Sequence, residues 1–282
     1  MLVLTTIPPI RARREELART GKCVAFVPTM GALHEGHLAL VRRGRELADE
    51  VWASAFVNPA QFGPSEDFAS YPRDLERDYA LLEREGATLL FAPSTREIYP
   101  RPPVTVVDLP ELTAGLCGPH RPGHFRGVAL VVAKLLNIVQ PHVAVFGAKD
   151  WQQAVVIRRM VEDLNMPVRI EVCPTVREED GIARSSRNAY LSPDERRTAT
   201  GLSHALRMAA QGLRDGERRG SALELILATD VTRAPGARLQ YAAVADPATL
   251  QPLVTTGGPT LFALAVHVGS TRLIDNLLVE GD

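Results

Sequence analysis

The chain has 282 residues, of which 45% are apolar and 23% charged, a composition that indicates a folded globular protein and excludes a disordered one. Its length predicts two domains, or one large domain with an appendage, since domains usually run to about 100–200 residues. A net charge of −1, without a block of Lys or Arg, argues against a nucleic-acid-binding surface. No apolar run approaches the ~20 residues that span a bilayer, so we expect a cytoplasmic protein.

The cysteines indicate structural thiols rather than a metal cluster. No Cys-x-x-Cys pair occurs, and the three residues are far apart in apolar or turn-like surroundings. They are Cys23, Cys117 and Cys173. We therefore expect reduced side chains that are mostly buried.

The first half of the chain alternates short β-branched runs with helical patterns, which predicts repeated βαβ units and a parallel sheet. The expected strands cover residues 2–5, 23–27, 51–57, 88–91, 143–146 and 168–173. The expected helices cover residues 11–19, 36–48, 72–85, 128–138 and 151–164. Residues 101–127 are rich in Pro and Gly without a helical period, and we expect them to form a long loop.

The pattern changes after Cys173. A polar segment through Asn188 leads into a long helix that is predicted to begin near Ser192, a capping residue followed by proline. The end of the chain reads as a hairpin of residues 261–268 and 271–278 around a two-residue turn. The sequence therefore predicts an α/β domain over residues 1–174 and a smaller α+β domain over residues 175–282.

The segment 28–37 is the first candidate site. It follows a predicted strand, turns at Pro28 and Gly31, and presents His34 and His37 where a helix begins. Ligands of open α/β sheets bind beyond the carboxyl ends of the strands, and the amides at a helix start favour phosphate. A metal site or plain structural histidines stay open, although zincin helices space their histidines one residue further apart and no third ligand is evident.

A second candidate site repeats this arrangement after the strand at 143–146. Gly147 permits close approach of a ligand, Lys149 can neutralise phosphate, and Asp150 can cap the following helix or accept from a ribose hydroxyl. The alternative is an ordinary turn with a solvated lysine. Lys149 is one of only three lysines among 32 basic residues, and this scarcity favours a functional role.

Two further segments carry polar groups suited to ligands. Residues 184–188 read Arg-Ser-Ser-Arg-Asn, which is either an anion clamp or a solvated loop with incidental arginines. Asn58 and Gln61 follow the third strand, and their amides both donate and accept, as a polyhydroxy acid requires. Four nearby carboxylates are candidate metal ligands or, more simply, solvated groups: Glu66, Asp67, Asp74 and Asp78.

Taken together, these motifs resemble the pantothenate synthetases, members of the nucleotidyltransferase superfamily with a His-x-Gly-His-type signature. The resemblance covers most of the chain. It rests on Pro28-Thr29-Met30-Gly31, His34-Glu35-Gly36-His37, Asn58-Pro59-x-Gln61-Phe62, Tyr71-Pro72-Arg73, Arg121-Pro122-Gly123-His124-Phe125, Gly147-x-Lys149-Asp150 and Ser185-Ser186-Arg187-Asn188.

The resemblance implies a Rossmann-like N-terminal domain, a smaller C-terminal lid domain and a cytoplasmic homodimer. It also implies a reaction that uses ATP and Mg²⁺. Pantoate would attack the α-phosphate to give pantoyl adenylate and pyrophosphate, and the β-alanine amine would then displace AMP to give pantothenate. The expected partners are thus small molecules, with no nucleic acid and no membrane.

The same resemblance assigns roles to individual residues. His34, His37 and Lys149 would be catalytic, with His37 as the proton donor. We expect hydrogen bonding to developing charge to be a larger contribution of His37 than proton donation, since pyrophosphate is a good leaving group. Gln61, Gln153 and Asn58 would bind pantoate or β-alanine, and Asp78 is a metal candidate. The expected ATP contacts are Met30, Gly31, Ala32, Leu33, His34, Glu35, Gly36, His37, Gly147, Ala148, Lys149, Asp150, Val176, Arg184, Ser185, Ser186 and Arg187.

Two other functions stay open. Another adenylyltransferase of the superfamily would act on a phosphorylated acceptor, but Gln61 and the pair Gln152-Gln153 argue against it because such an acceptor favours Arg or Lys. A non-catalytic nucleotide sensor, or a metal-binding module on the two histidines, would lack pyrophosphate release. An aminoacyl-tRNA synthetase would need a tRNA-binding region that neither length nor charge supplies.

Overall fold

The computed structural model describes residues 1–64 and 66–281, and the chain forms two compact units. The first unit comprises Met1–Leu109, Arg121–Ala148 and Val156–Pro174. The second comprises Pro110–His120, Lys149–Val155 and the residues from Thr175 onward. Each unit is therefore assembled from separate stretches of the sequence, and the last change of unit falls between Pro174 and Thr175.

The first unit is built on a six-stranded sheet in which every pairing is parallel. The strand order is β1-β4-β3-β2-β5-β6. The strands are β1 (Leu2–Leu4), β2 (Val24–Thr29), β3 (Glu50–Ala55), β4 (Leu89–Phe91), β5 (Val143–Gly147) and β6 (Arg169–Cys173). Central strands such as β2 and β3 are buried almost throughout, because both faces of a parallel sheet are covered. The predicted α/β fold is confirmed.

The connecting segments of the first unit are mostly helical. The helices are α1 (Ile7–Arg19), α2 (Glu35–Leu47), α3 (Leu75–Arg84), α4 (Thr95–Ile98), α6 (His124–Val139) and α7 (Trp151–Asp163), whose first five residues belong to the second unit. Helix α1 begins four residues earlier than expected, because Pro8 and Pro9 fall in the first turn, where a missing N–H breaks no bond. The expected long loop ends at Gly123, not at Gly127, because α6 begins at His124, and the loop contains a short helix, α5 (Pro110–Thr113).

The position of β2 defines the switch point of the sheet. The strand pairs with β3 on one side and β5 on the other, so the order of the strands reverses between β2 and β5. In open α/β sheets, ligands bind at this switch point beyond the carboxyl ends of the strands. Thr29 ends β2 and Gly147 ends β5, and both begin segments that the sequence marks as candidate sites.

The second unit combines two long helices with a three-stranded antiparallel sheet of order β7-β8-β9. The elements are α8 (Pro193–Arg214), α9 (Gly220–Arg233), β7 (Ala237–Ala245), β8 (Thr260–Val268) and β9 (Thr271–Val279). Ser192 caps α8 in a reciprocal capping box with Glu195, as its sequence predicts. The predicted hairpin is present as β8 and β9, joined by Gly269 and Ser270. Helix α9 and strand β7 were not predicted.

Two groups of apolar side chains hold the second unit together. One face of the sheet packs on α8 and α9, with residues such as Leu206, Leu227, Phe262 and Leu264 buried between them. On the other side, Leu261 and Ala263 of β8 pack with residues from the two short stretches that precede Thr175. These partners are Leu112, Leu116, Trp151 and Val155. The short stretches are thus integral to the unit.

Candidate active site

The loop that follows β2 has an unusual backbone. Gly31 has φ +83° and Ala32 has φ +51°, so two successive residues occupy the left-handed region, which a residue with a Cβ rarely adopts. The hydroxyl of Thr29 accepts a hydrogen bond from the Gly31 amide at 3.0 Å and donates to the Ser54 carbonyl. The turn is thereby tied to the neighbouring strand β3.

Asp78 of α3 holds the same loop from the other side. Its carboxylate accepts from the amides of Ala32 at 2.9 Å and Leu33 at 2.8 Å, and its side chain is only 2% exposed. A Cβ on Gly31 would lie 2.9 Å from the Asp78 carboxylate, which explains the glycine. Burial raises the pKa of Asp78, although the two amides oppose this shift. Asp78, a candidate metal ligand, therefore binds the backbone of the loop in this structure.

His34 and His37 bracket the first turn of α2, so they lie where a helix begins, as the sequence predicts. His34 is the N-cap residue, and its Nδ1 accepts from the Gly36 amide at 3.2 Å. The Nδ1 of His37 accepts in turn from the His34 amide at 3.4 Å, and the two rings stack with centroids 4.1 Å apart. Because a neutral imidazole has one donor and one acceptor nitrogen, both rings carry their proton on Nε2.

Asn58 and Gln61 lie in a turn after β3, next to Met30. Gln61 is 8% exposed, and its Nε2 lies 3.0 Å from the Met30 sulfur. Asn58 is 1% exposed, and its amide contacts Gln61, Ala60, Gly127 and Tyr99. The structure thus brings two predicted substrate-binding residues together with Met30. Substrate contact stays a prediction for both.

The Arg121-Pro122-Gly123-His124-Phe125 motif lies against this turn. Arg121 forms a two-pronged ion pair with Glu66 and lies 2.9 Å from His124 Nε2, while His124 Nδ1 lies 2.8 Å from the Gln61 carbonyl. Burial pushes the pKa of Glu66 upward, but the hydrogen bonds and charge of Arg121 leave it below its ordinary value. The sequence indicated the motif without indicating this partner.

In the second unit, Lys149 lies in a 3₁₀ turn, Ala148–Asp150, that leads directly into α7. Its side chain is 20% exposed, and its Nζ lies 3.7 Å from the Asp150 carboxylate. Its carbonyl accepts from the side chain of Asn276 at 2.8 Å, which fixes the turn to β9. Gln153 is half-buried, whereas Gln152 is buried and bonds to the backbone of residues 112–117.

The predicted anion clamp also belongs to the second unit. The Arg184 amide donates to the Val176 carbonyl at 2.9 Å, and Ser185 caps a 3₁₀ turn, Ser186–Tyr190, by accepting from the Arg187 amide. The Nε of Arg184 is buried, and the described residues offer it no hydrogen-bond partner. An anion would satisfy such a donor.

The remaining predicted residues are placed as follows. Glu35 pairs with Arg42, so its carboxylate has a partner on its own helix. Gly147 and Ala148 belong to the first unit, at the end of β5 and just beyond it. Among the candidate carboxylates, Asp74 caps α3. No group of three or more His, Cys, Asp or Glu side chains within residues 1–64 and 66–281 is arranged to hold a metal ion.

The parallel sheet, with turns after the two strands that flank its switch point, is typical of nucleotide-binding α/β proteins. Residues 2–278 match the family model for pantoate-beta-alanine ligase. The chain belongs to the pantoate-beta-alanine ligase family, and the predicted resemblance is confirmed.

Relatives and solved structures agree with this assignment. The chain is 54% identical to a pantothenate synthetase of Heliobacterium modesticaldum, over 99% of this chain and 100% of that protein. The structure of a pantothenate synthetase from Thermus thermophilus matches with a TM-score of 0.92 and 47% identity, over 98% of this chain and 99% of that one. A pantoate-beta-alanine ligase from Francisella tularensis, complexed with beta-gamma ATP and beta-alanine, matches at 33% identity and a TM-score of 0.81, over 99% and 97%.

Proposed function

We propose that the chain condenses pantoate with β-alanine at the expense of ATP, giving pantothenate, AMP and pyrophosphate through pantoyl adenylate. The family match over residues 2–278 supports the reaction class. The names of relatives about 50% identical, and the Francisella structure complexed with beta-gamma ATP and beta-alanine, support the substrates. The observation that carries the proposal is the His34–His37 pair at the start of α2, where each Nδ1 accepts a backbone amide and each ring therefore carries its proton on Nε2.

In the first step, the pantoate carboxylate attacks the α-phosphate of ATP and pyrophosphate leaves. His34 and His37 donate from Nε2 to phosphate oxygens as negative charge develops on them. The residues from Met30 to Gly36 line the nucleotide, with the Asp78-held loop supplying backbone groups. Gln61 and Gln153 bind pantoate. In the second step, the amine of β-alanine attacks the acyl carbon, the bond to AMP breaks, and the amine loses its proton.

Hydrogen bonding, rather than proton transfer, is the role that the geometry supports for His37. Its Nδ1 accepts the His34 amide, so protonation of that nitrogen would break the cap of α2. The positive charge of a protonated His37 would also lie against the stacked ring of His34, since the two ring centroids are only 4.1 Å apart. We therefore assign neutral rings to both histidines during adenylate formation.

The second unit supplies further ATP contacts in this proposal. Lys149 stabilises phosphate charge, and its fixed carbonyl limits the positions its side chain can sample. The contacts are completed by Gly147 and Ala148 of the first unit and by Asp150, the backbone of Val176 and residues 184–187 of the second. The buried Nε of Arg184, which lacks a partner among the described residues, supports this role, because a guanidinium of this kind is stabilised by an anion.

ATP enters the reaction as its Mg²⁺ complex in this proposal. Mg²⁺ commonly keeps several waters and takes substrate phosphates with only one or two carboxylates, so a dedicated cage is not needed. The residues present fit a metal held mainly by phosphate. Asp78 fits less well as a ligand, because both of its oxygens accept backbone amides.

We also propose a cytoplasmic homodimer. All three cysteines carry free thiols, which supports a reducing compartment. Within the described chain, no helix has the length and apolar character to cross a membrane. Val104 is 97% exposed and Val106 is also exposed, and a second copy that covered this segment would remove apolar surface from water. Light scattering should then give twice the chain mass of 30.7 kDa.

The test of the reaction is ATP–pyrophosphate exchange by the purified chain with pantoate present and β-alanine absent. Label should enter ATP only when pantoate is added, because the adenylate forms before the amine is needed. Exchange that depends on another acid would contradict the substrate assignment. ATP binding without any exchange would indicate a nucleotide sensor.

A variant of Lys149 distinguishes stabilisation of phosphate charge from an unspecific loss of activity. Lys149→Ala should lower the maximal exchange rate by about 100-fold or more while changing the KM for pantoate less than about threefold, because charge stabilisation acts in the transition state. The matched control is Lys22→Ala, an exposed lysine beyond the end of α1, which should leave both constants unchanged. Equal effects of Lys149→Ala on rate and KM would contradict this role.

A further inference from the structure

Asn58 occupies a site in which two backbone groups fix the orientation of its amide. The Ala60 N–H donates to Oδ1 at 3.2 Å, and Nδ2 donates to the Gly127 carbonyl at 3.1 Å. An N–H can only donate and a carbonyl can only accept, so the reversed amide would face both groups with the wrong atom. The side chain is 1% exposed, and a mismatch here would leave buried polar atoms unpaired.

This orientation determines the orientation of Gln61. The second Nδ2 hydrogen of Asn58 points to the Gln61 side chain at 3.0 Å and requires an acceptor there, which is Oε1. The Nε2 of Gln61 is consequently on the other side of its amide group, 3.0 Å from the Met30 sulfur. A thioether is a weak acceptor, so the Nε2 group of Gln61 forms a stronger hydrogen bond when an oxygen atom takes the place of the sulfur.

Tyr99 completes the chain of hydrogen bonds. Its hydroxyl lies 2.9 Å from Asn58 Oδ1, and since that oxygen can only accept, the hydroxyl donates. Burial raises the pKa of Tyr99 to about 12, so the proton stays in place at neutral pH. The ring packs beside Phe56 and under Lys134, which hold it independently of the hydroxyl.

The backbone of Gln61 is fixed as firmly as its side chain. Arg121 can only donate, so His124 Nε2 accepts from it and His124 Nδ1 carries the proton that is donated to the Gln61 carbonyl. A Cβ on Gly127 would lie 2.1 Å from the Ala60 carbonyl oxygen, so α6 approaches the turn as closely as glycine allows. All of these residues belong to the first unit.

We propose that Tyr99 and Asn58 are positioning residues that hold the Gln61 amide with Nε2 facing the substrate, so that Gln61 recognises pantoate only as a hydrogen-bond donor to a hydroxyl or carboxylate oxygen. This inference rests on the proposed function, and it states that the pantoate site presents a hydrogen-bond donor at Gln61. In this proposal Asn58 acts through Gln61, which replaces the direct substrate contact that the family resemblance assigns to it. An ammonium group, which only donates, gains nothing from this side of the amide.

A double-mutant cycle on the full chain tests the relay, by which we mean the hydrogen bonds that run from Tyr99 through Asn58 to the Gln61 amide. The variants are Tyr99→Phe, Gln61→Ala and the double variant, each assayed by ATP–pyrophosphate exchange for kcat/KM of pantoate and for the KM of ATP. Tyr99→Phe keeps the ring and its packing, and it should lower kcat/KM for pantoate by about five- to tenfold, the effect of one buried hydrogen bond, with an unchanged KM for ATP. The matched control is Tyr79→Phe, whose hydroxyl bonds to Glu83, and it should change neither constant.

The double variant gives the deciding result. If Tyr99 acts through Gln61, Tyr99→Phe should have no further effect on pantoate once Gln61 is alanine. An undiminished effect in that background, or an equal rise in the KM of ATP, would overturn the relay while leaving the proposed reaction intact. Wild-type chain without pantoate-dependent exchange would overturn the proposed function and the relay with it.

Discussion

The imidazole rings of His34 and His37 stack on each other, and each accepts a backbone amide at Nδ1. Helix capping therefore uses Nδ1 of both rings, and the phosphate contacts that we propose would use Nε2. This arrangement fixes the tautomer, since the two backbone amides do what a carboxylate does in many catalytic sites.

Two substitutions of His37 distinguish hydrogen bonding from acid catalysis. The amide nitrogen of Gln approximates Nε2, whereas the carbonyl of Asn approximates Nδ1. We expect His37→Gln to keep pyrophosphate exchange within about tenfold of wild type and His37→Asn to lose about 10²–10³-fold, because only the first retains the donor. His204→Asn, at an exposed histidine of the second unit, is the control. Equal losses in both His37 variants would indicate an acid.

Asp78→Asn separates loop support from metal binding. The amide offers one acceptor where the carboxylate offers two, so one of the amides of Ala32 and Leu33 loses its partner. We expect the KM for ATP to rise about tenfold, while the Mg²⁺ concentration for half-maximal exchange stays unchanged at saturating ATP. Asp74→Asn, which alters only the cap of α3, should change neither constant. A large shift in the Mg²⁺ midpoint would make Asp78 a metal ligand.

Gly127→Ala tests the close approach of α6 to the Asn58–Gln61 turn. The added methyl group would overlap the Ala60 carbonyl and lie 2.7 Å from the Gln61 amide nitrogen. We expect the free energy of unfolding to fall by about 1–3 kcal/mol in urea denaturation, with a raised KM for pantoate. Gly201→Ala in α8 meets no atom within 4 Å and should instead stabilise by roughly 0.5–1 kcal/mol. Two variants of equal stability would contradict the crowding argument.

The Glu66–Arg121 pair predicts a pH dependence of stability. The folded pKa of Glu66 lies below its ordinary value of 4.5, so its contribution is present above that value and is lost as the pH falls through the folded pKa. The unfolding free energy of Glu66→Gln should therefore decline less than that of wild type between about pH 5 and pH 3. Glu15→Gln, in an exposed ion pair with Arg19, should follow wild type. Parallel curves for all three proteins would show that the pair contributes nothing.

The parallel sheet was predictable because its strands carry their own signal. Strands such as β2 and β5 are short apolar runs bounded by turns, and burial on both faces requires that pattern. Helix α9 and strand β7 carry weaker signals. β7 is half-buried and rich in alanine, and its conformation depends on pairing with β8, which lies later in the chain.

The partners of the site residues could not be predicted in the same way. The carbonyl of Lys149 is held by Asn276, and the turn at Asn58 is held by Tyr99, in each case from a distant part of the sequence. Asp78 did carry a signal, since it lies four residues before the buried Leu82 on one face of α3. An acidic residue on an apolar helix face indicates a buried partner, but not that the partner is the backbone of the loop at Ala32.

The dispersed make-up of the second unit has a consequence for how the chain is synthesised. Trp151 and Val155 reach their packing partners, Leu250 and Leu261, only after most of the C-terminal sequence has emerged from the ribosome. Until then, the first turn of α7 lacks the C-terminal side chains that pack against it. A nascent chain halted at Pro174 would leave Trp151 and Val155 without Leu250 and Leu261.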